Sequence, residues 1–354
     1  MLMISVLVID DSAFSRISIG KMLEGDSRIN VVGYAVDGEE GLKKLIDLKP
    51  DVVTLDLEMP RMSGFSLLRL IMENHPVPVI VISSQNGRQD VFKALDLGAF
   101  DFIAKPARAK SSELYNIQRD LIGKVVEASL LSGEKIKQRL EVVEEPKFRQ
   151  KPECYTAEHR STVVLIGAST GGPPALHHIF SSFREKLPVP VVVTQHMPAG
   201  FTKSFAQRLD DYSVMSVKEA EQGDQLVPGT VYVCPGCKNL ELQYYGGVVR
   251  VRIVDPPEDQ IYTPSTNVLF RTAAYIYGSK ALAVVLTGMG NDGAAGAEEV
   301  AKYGGRVLAE AEESCVVYGM PKETAQTGVV EKVVPLKRMA HEIELCCRPF
   351  VSVD

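Results

Sequence analysis

Short runs rich in β-branched residues recur along this chain at intervals filled by helical patterns, and that rhythm limits the fold more than any other feature. From the N-terminus, SVLVID, INVVGYA, DVVTLDL, PVIVIS and DFIAK alternate with amphipathic segments such as EEGLKKLIDL. Strands that are apolar throughout and separated by helices predict a parallel sheet covered on both faces. A second series begins at Thr162 with TVVLIGAS, VPVVVTQH, GTVYVCPG, GGVVRVRIV, ALAVVLTG and GRVLAEA. Within it, NLELQYYGGVVRVRIVD alternates in polarity around Gly246-Gly247, the pattern of an antiparallel hairpin. Between the two series the chain becomes increasingly charged and proline-dotted, which fits a helix running out into a solvated linker. At 354 residues the chain is longer than one compact core usually sustains. The expected organisation is two α/β domains, residues 1–125 and 161–354, joined by a linker over 126–160.

Composition excludes several functions. A net charge of -6 offers no basic field, so no nucleic acid partner is expected. No apolar run approaches the roughly 20 residues of a membrane span, and no direct membrane insertion is expected. The opening MLMISVLVIDD lacks a basic leader and a small-residue cleavage site, so it reads as a buried strand and a cytoplasmic location is expected. The six cysteines show no disulfide-framework spacing. Cys234-Pro-Gly-Cys237 copies a redox or zinc C-x-x-C, but no second pair or histidine stands at ligand spacing, and coincidence is the better account.

In the first half, Asp10 and Asp11 end the first strand and Asp56 ends the third. Ligands collect beyond the carboxyl ends of parallel strands, so these carboxylates should converge on one crevice. Like charges that close need a cation, and an all-oxygen set suits Mg²⁺. Ser83 ends the fourth strand and Lys105 the fifth, adding a hydroxyl and an ammonium at the same edge. Together they describe a site for phosphorylating a carboxylate. VIDD, LDLEMPRMSG, VISS and DFIAKP resemble the response regulator receiver domain. The resemblance implies a flavodoxin-like fold of strand order 2-1-3-4-5, Asp56 as phospho-acceptor, and Mg²⁺ held by Asp10, Asp11, Asp56 and the Glu58 main-chain carbonyl. It implies that Ser83 and Lys105 contact the phosphoryl group. Phe102 is either the aromatic switch residue of that family or a core phenylalanine.

In the second half, Gly167-Ala168-Ser169-Thr170-Gly171 fits G-x-S-x-G, a tight strand-to-helix turn that presents a serine. The same glycines could cradle a phosphate. A dinucleotide site, however, needs G-x-G-x-x-G with an acidic residue closing the next strand, and a P-loop needs a lysine after its glycines. Neither is present. The next strand ends instead at His196, the one histidine of six at a strand's carboxyl end in this half. A serine nucleophile needs such a base, and the base needs a third group to set its tautomer. Asp292, in AVVLTGMGNDGAAG, is the best placed carboxylate, although an aspartate before a helix is commonly a plain N-cap.

These residues carry a second resemblance. IGASTGGPPAL, VVVTQHMPAGFTKSFAQRL, VPGTVYVCPG, LTGMGNDGAAG and VVYGMPKETA are similar to the catalytic domain of the CheB family of chemotaxis protein-glutamate methylesterases. The resemblance implies hydrolysis of glutamate methyl esters, with deamidation of glutamines, on methyl-accepting chemoreceptors. Ser169 would be the nucleophile, His196 the base and Asp292 its partner. Thr170 and Met289 would lie beside the nucleophile, placing main-chain donors around the oxyanion. No cofactor is implied there, and a chemotaxis histidine kinase is the implied phosphodonor. The sequence departs from the family where many members carry PGG followed by a histidine. Here it reads CPGCKNLEL, with Cys237 and Asn239.

Overall fold

A computed structural model describes residues 3–83, 88–105, 111–131 and 160–348. The chain divides into two compact units, Met1–Phe148 and Arg149–Asp354.

The first unit alternates β1 (Ile4–Ile9), α1 (Ala13–Glu24), β2 (Ile29–Ala35), α2 (Gly38–Leu48), β3 (Val52–Asp56), α3 (Gly64–Asn74), β4 (Val79–Ser83), α4 (Arg88–Asp96), β5 (Asp101–Ala104) and α5 (Ser111–Ala128). Its five strands form one parallel sheet in the order β2-β1-β3-β4-β5, as expected. Strands β3 and β4 are buried along their whole length, so helices cover both faces. Helix starts follow local chemistry. Ser12, Asp37 and Ser63 each accept a main-chain N–H of the first turn they precede. Helix α5 continues past residue 125 because Val125 and Ala128 are both buried apolar positions. The rest of the expected linker, residues 132–159, lies outside the described residues.

The second unit runs β6 (Val163–Ala168), α6 (Gly172–Ser182), β7 (Val191–Gln195), α7 (Phe201–Tyr212), β8 (Ser216–Glu219), β9 (Thr230–Val233), β10 (Asn239–Tyr245), β11 (Val248–Val254), α8 (Thr266–Tyr277), β12 (Ala281–Val285), α9 (Ala294–Lys302), β13 (Arg306–Glu310), α10 (Met320–Gln326), β14 (Lys332–Val334) and α11 (Leu336–Cys347). Seven strands make a wholly parallel sheet, β14-β13-β12-β6-β7-β9-β8. The hairpin β10-β11 is antiparallel and forms a sheet of its own. The edge strands β8 and β14 escape the sequence pattern. Their sequences, SVKE and KVV, are short and carry charged residues, so they do not form an apolar run.

One topological fact positions the site. From β6 the chain first builds outward through β7, β9 and β8, then returns to the other side of β6 and builds through β12, β13 and β14. The strand order reverses at β6, and a crevice opens beyond the carboxyl ends of strands at such a switch point. Beneath it lies a core in which Leu269, Phe270, Ala273 and Ala274 of α8 pack with β6 and β12.

Candidate active site

Three neighbouring strands deliver the three expected groups. Ser169 follows β6 at the centre, His196 follows β7 on one side, and Asp292 stands in the loop after β12 on the other. Ser169 is buried, and both its main-chain polar groups are tied down. Its N–H donates to Thr287 O at 3.0 Å, while its carbonyl accepts from Gly172 N–H at 2.8 Å and from Gln195 Nε2 at 2.9 Å. The turn closes at Gly171, whose φ of +79° is a left-handed conformation that glycine adopts without strain. Gly288 allows the loop after β12 to approach. A Cβ there would lie 2.6 Å from Ser169 Cβ and 2.5 Å from Met320 Sδ.

His196 Nε2 lies 2.8 Å from Asp292 Oδ2. With the carboxylate as acceptor, the imidazole carries its proton on Nε2, which leaves Nδ1 as the basic nitrogen. The ring stacks on Tyr262, with centroids 5.3 Å apart and planes 8° from parallel. Among the described residues Ser169 Oγ makes no hydrogen bond, and free enzymes often hold nucleophile and base loosely.

Asp292 is 1% exposed, and its partners resolve the N-cap question. It caps a helix, but not the one that comes after it in the chain. Oδ1 accepts from Ser265 Oγ and Asn267 N–H, both at 3.0 Å, and Oδ2 accepts from Thr266 N–H at 2.6 Å, all at the start of α8. Asn267 serves α9 in the same way, its Oδ1 accepting from Gly293 N–H at 3.1 Å and Gly296 N–H at 2.7 Å. Burial pushes the Asp292 carboxyl upward, but the bond and charge of His196 and the N–H groups of Asn267 and Thr266 outweigh it and hold the carboxyl below its ordinary value.

Of the two expected oxyanion donors, Thr170 follows Ser169 in the turn and Met289 follows Gly288, the glycine that faces Ser169 Cβ. Thr170 is 2% exposed and Met289 is half-buried on the loop after β12. Neither main-chain N–H has an acceptor among the described residues. No side chain caps α6, so its N-terminal dipole is unmet at this turn. Sequence reasoning missed Gln195, Gln260, Tyr262, Ser265 and Asn267, and marked Asn239 only as a departure from the family's pattern. Their only signal was polarity inside or beside apolar runs, which does not reveal a partner.

In the first unit, Asp10, Asp11 and Asp56 bring carboxylate oxygens within 4.8 Å of one another. Asp56 Oδ1 accepts from Glu58 N–H at 3.2 Å, and Lys105 Nζ lies 2.5 Å from Asp56 Oδ2 and 3.3 Å from Asp10 Oδ2. Asp10 Oδ2 is buried without a hydrogen bond. Burial, foremost, raises both the Asp10 and Asp56 carboxyls, and Asp56 raises Asp10 further. A mutually repelling oxygen set of this kind, with Asp10 and Asp56 buried and Asp11 open to solvent, fits a divalent cation. Arg16 Nη1 donates to the carbonyls of Asp10 and Asp11 and steadies that loop. Ser83 is buried at the end of β4, and its carbonyl accepts from Lys105 N–H at 2.7 Å. Phe102 is buried against Phe92, as a core residue would be. Among the described residues, no helix is long and apolar enough to cross a membrane.

Both units resemble known proteins. Residues 164–343 match the CheB methylesterase family, and residues 6–116 match the response regulator receiver domain. The chain is 47% identical to protein-glutamate methylesterase/protein-glutamine glutaminase 3 of Geobacter sulfurreducens, with 99% of each chain covered. It is 46% identical to protein-glutamate methylesterase/protein-glutamine glutaminase 1 of Myxococcus xanthus, with 94% of each covered. Among solved structures it is similar to the Thermotoga maritima CheB methylesterase catalytic domain at 43% identity and a TM-score of 0.51, covering 52% of this chain and 97% of that one.

Proposed function

Because the chain belongs to the CheB methylesterase family and is a protein-glutamate methylesterase and glutaminase joined to a receiver domain, we propose that it hydrolyses glutamate methyl esters on chemoreceptor cytoplasmic domains. This would serve sensory adaptation. The observation that carries the mechanism is the His196–Asp292 bond at 2.8 Å, built from the two strands that flank the strand of Ser169.

Ser169 Oγ attacks the ester carbonyl carbon while His196 Nδ1 takes its proton, and Asp292 stabilises the imidazolium through Nε2–H. The oxyanion forms beside the free N–H groups of Thr170 and Met289 and the uncapped start of α6. His196 then protonates the departing methoxide, releasing methanol and leaving a glutamyl ester on Ser169. Water, deprotonated by the same Nδ1, hydrolyses that ester to glutamate and restores the serine. Glutamine takes the same course, with ammonia leaving in place of methanol.

Control comes from the receiver. Phosphorylation of Asp56 by a chemotaxis histidine kinase would raise esterase activity. Asp10, Asp11, Asp56 and the Glu58 carbonyl would hold Mg²⁺, which supplies positive charge against the phosphoryl group when bound. Lys105, with its ammonium 2.5 Å from Asp56, and Ser83 at the next strand end would meet the phosphoryl oxygens. The test is methanol release from a methylated receptor fragment, with and without acetyl phosphate. The wild type should be stimulated, Ser169→Ala should release none, and Asp56→Asn should ignore the phosphodonor. Methanol release by Ser169→Ala would overturn the serine mechanism, and equal rates with and without phosphodonor would overturn the control.

A further inference from the structure

The structure ties both partners of the nucleophile to a single pair of amides, Asn239 buried and Gln260 half-buried. Asn239, the first residue of β10, is 2% exposed. Its Nδ2 donates to Gln260 Oε1 at 2.8 Å, and its Oδ1 accepts from Gln260 Nε2 at 3.0 Å. The same Oδ1 accepts from Ser265 N–H at 2.9 Å, and Gln260 Nε2 also faces Tyr262 O at 2.6 Å and Thr263 Oγ1 at 3.2 Å.

Each arm of this pair is one residue from the chemistry. On one side Ser265 donates its hydroxyl to Asp292 Oδ1 and starts the helix whose first N–H groups hold the same carboxylate. On the other, the main chain of Tyr262 is pinned while its ring lies flat against the imidazole of His196. A flat neighbour restricts rotation of the imidazole out of its plane, and that rotation would turn Nδ1 away from Ser169. Catalytic geometry has to be held to fractions of an ångström, and groups on loops hold it only when their supports are themselves locked.

We propose that Asn239 and Gln260 are positioning residues, an amide clasp that sets the orientation of His196 and Asp292 at once. The clasp presupposes the esterase mechanism of Ser169, His196 and Asp292.

The test uses the full chain and a methylated receptor fragment, comparing wild type, Asn239→Leu, Gln260→Met and the double variant. Each single variant should lower kcat about ten- to a hundredfold with KM held within about twofold. The double variant should lose no more than the worse single one, because the two amides act as a unit. Proton NMR supplies a readout free of turnover: the hydrogen-bonded Nε2–H of His196 should be sharp in wild type and Ser169→Ala, and broadened in both clasp variants. Unchanged kcat, a rise confined to KM, losses that multiply in the double variant, or an unaltered Nε2–H signal would each overturn the clasp. If Asn239→Leu does not fold, the half-buried Gln260→Met decides. If wild type releases no methanol, the esterase mechanism fails, and the NMR comparison still tests the clasp.

Discussion

Asp292→Asn removes one charge from a carboxylate on which four donors converge, and the positions of those donors set the cost. Oδ1 receives Ser265 Oγ and Asn267 N–H, and Oδ2 receives Thr266 N–H and His196 Nε2. An amide has only one oxygen to offer. With its NH₂ at the Oδ1 position, Ser265 can turn its proton away, but Asn267 N–H then faces a donor. With NH₂ at the Oδ2 position, Thr266 N–H faces a donor, and His196 must become an acceptor there, moving its proton to Nδ1. Either orientation opposes one buried main-chain N–H, costing about 1–3 kcal/mol, and removes a charge at a helix N-terminus worth about 0.3–2 kcal/mol. The second orientation also presents the wrong tautomer to the serine, so kcat should fall by about 10⁴-fold.

Methanol release measures the kcat loss, and calorimetry measures the stability. The sign of the pH dependence is fixed. The Asp292 carboxyl is held below its unfolded value of 3.8, so its stabilisation is complete above that pH and disappears as pH falls through the depressed folded value. The gap between wild type and variant should therefore be widest near neutrality and narrow below about pH 4. A variant within about tenfold of wild-type kcat, or a stability gap that widened in acid, would refute this account of Asp292.

Other substitutions probe separate parts of the molecule. Gly288→Ala places a methyl group against Ser169 Cβ and Met320 Sδ, so it should cost about 1–3 kcal/mol and lower kcat, as melting and methanol release would register. Mg²⁺ at about 100 times its Kd should raise the stability of the first unit by about 2.7 kcal/mol, and no shift in its melting would argue against the Asp10–Asp11–Asp56 set. Lys105→Met strips the ammonium from Asp56 and should slow phosphoryl uptake from acetyl phosphate, read as acyl phosphate formed per minute.

Local pattern alone determined a good part of this protein. The parallel strands of both units other than β8 and β14 announced themselves by apolar runs, because a strand in a buried parallel sheet demands the same residue types along its whole length, and the β10-β11 hairpin announced itself by alternating polarity. Ser169, His196, Asp10, Asp56 and Lys105 could be picked out because they directly end or follow such runs, and the carboxyl edge of a parallel sheet is where ligands collect. What those residues touch was settled by packing. Asp292 reads equally well as the cap of its own helix, and only the docking of α8 beside α9 shows it capping a helix that begins 26 residues earlier. Asn239 reads only as a departure from the family's pattern at the start of a hairpin, yet the fold buries it and pairs it with Gln260. The difference is physical. Helix and strand periods are written in neighbouring residues, whereas a hydrogen bond such as that between His196 and Asp292, 96 residues apart, exists only once β12 has inserted beside β6.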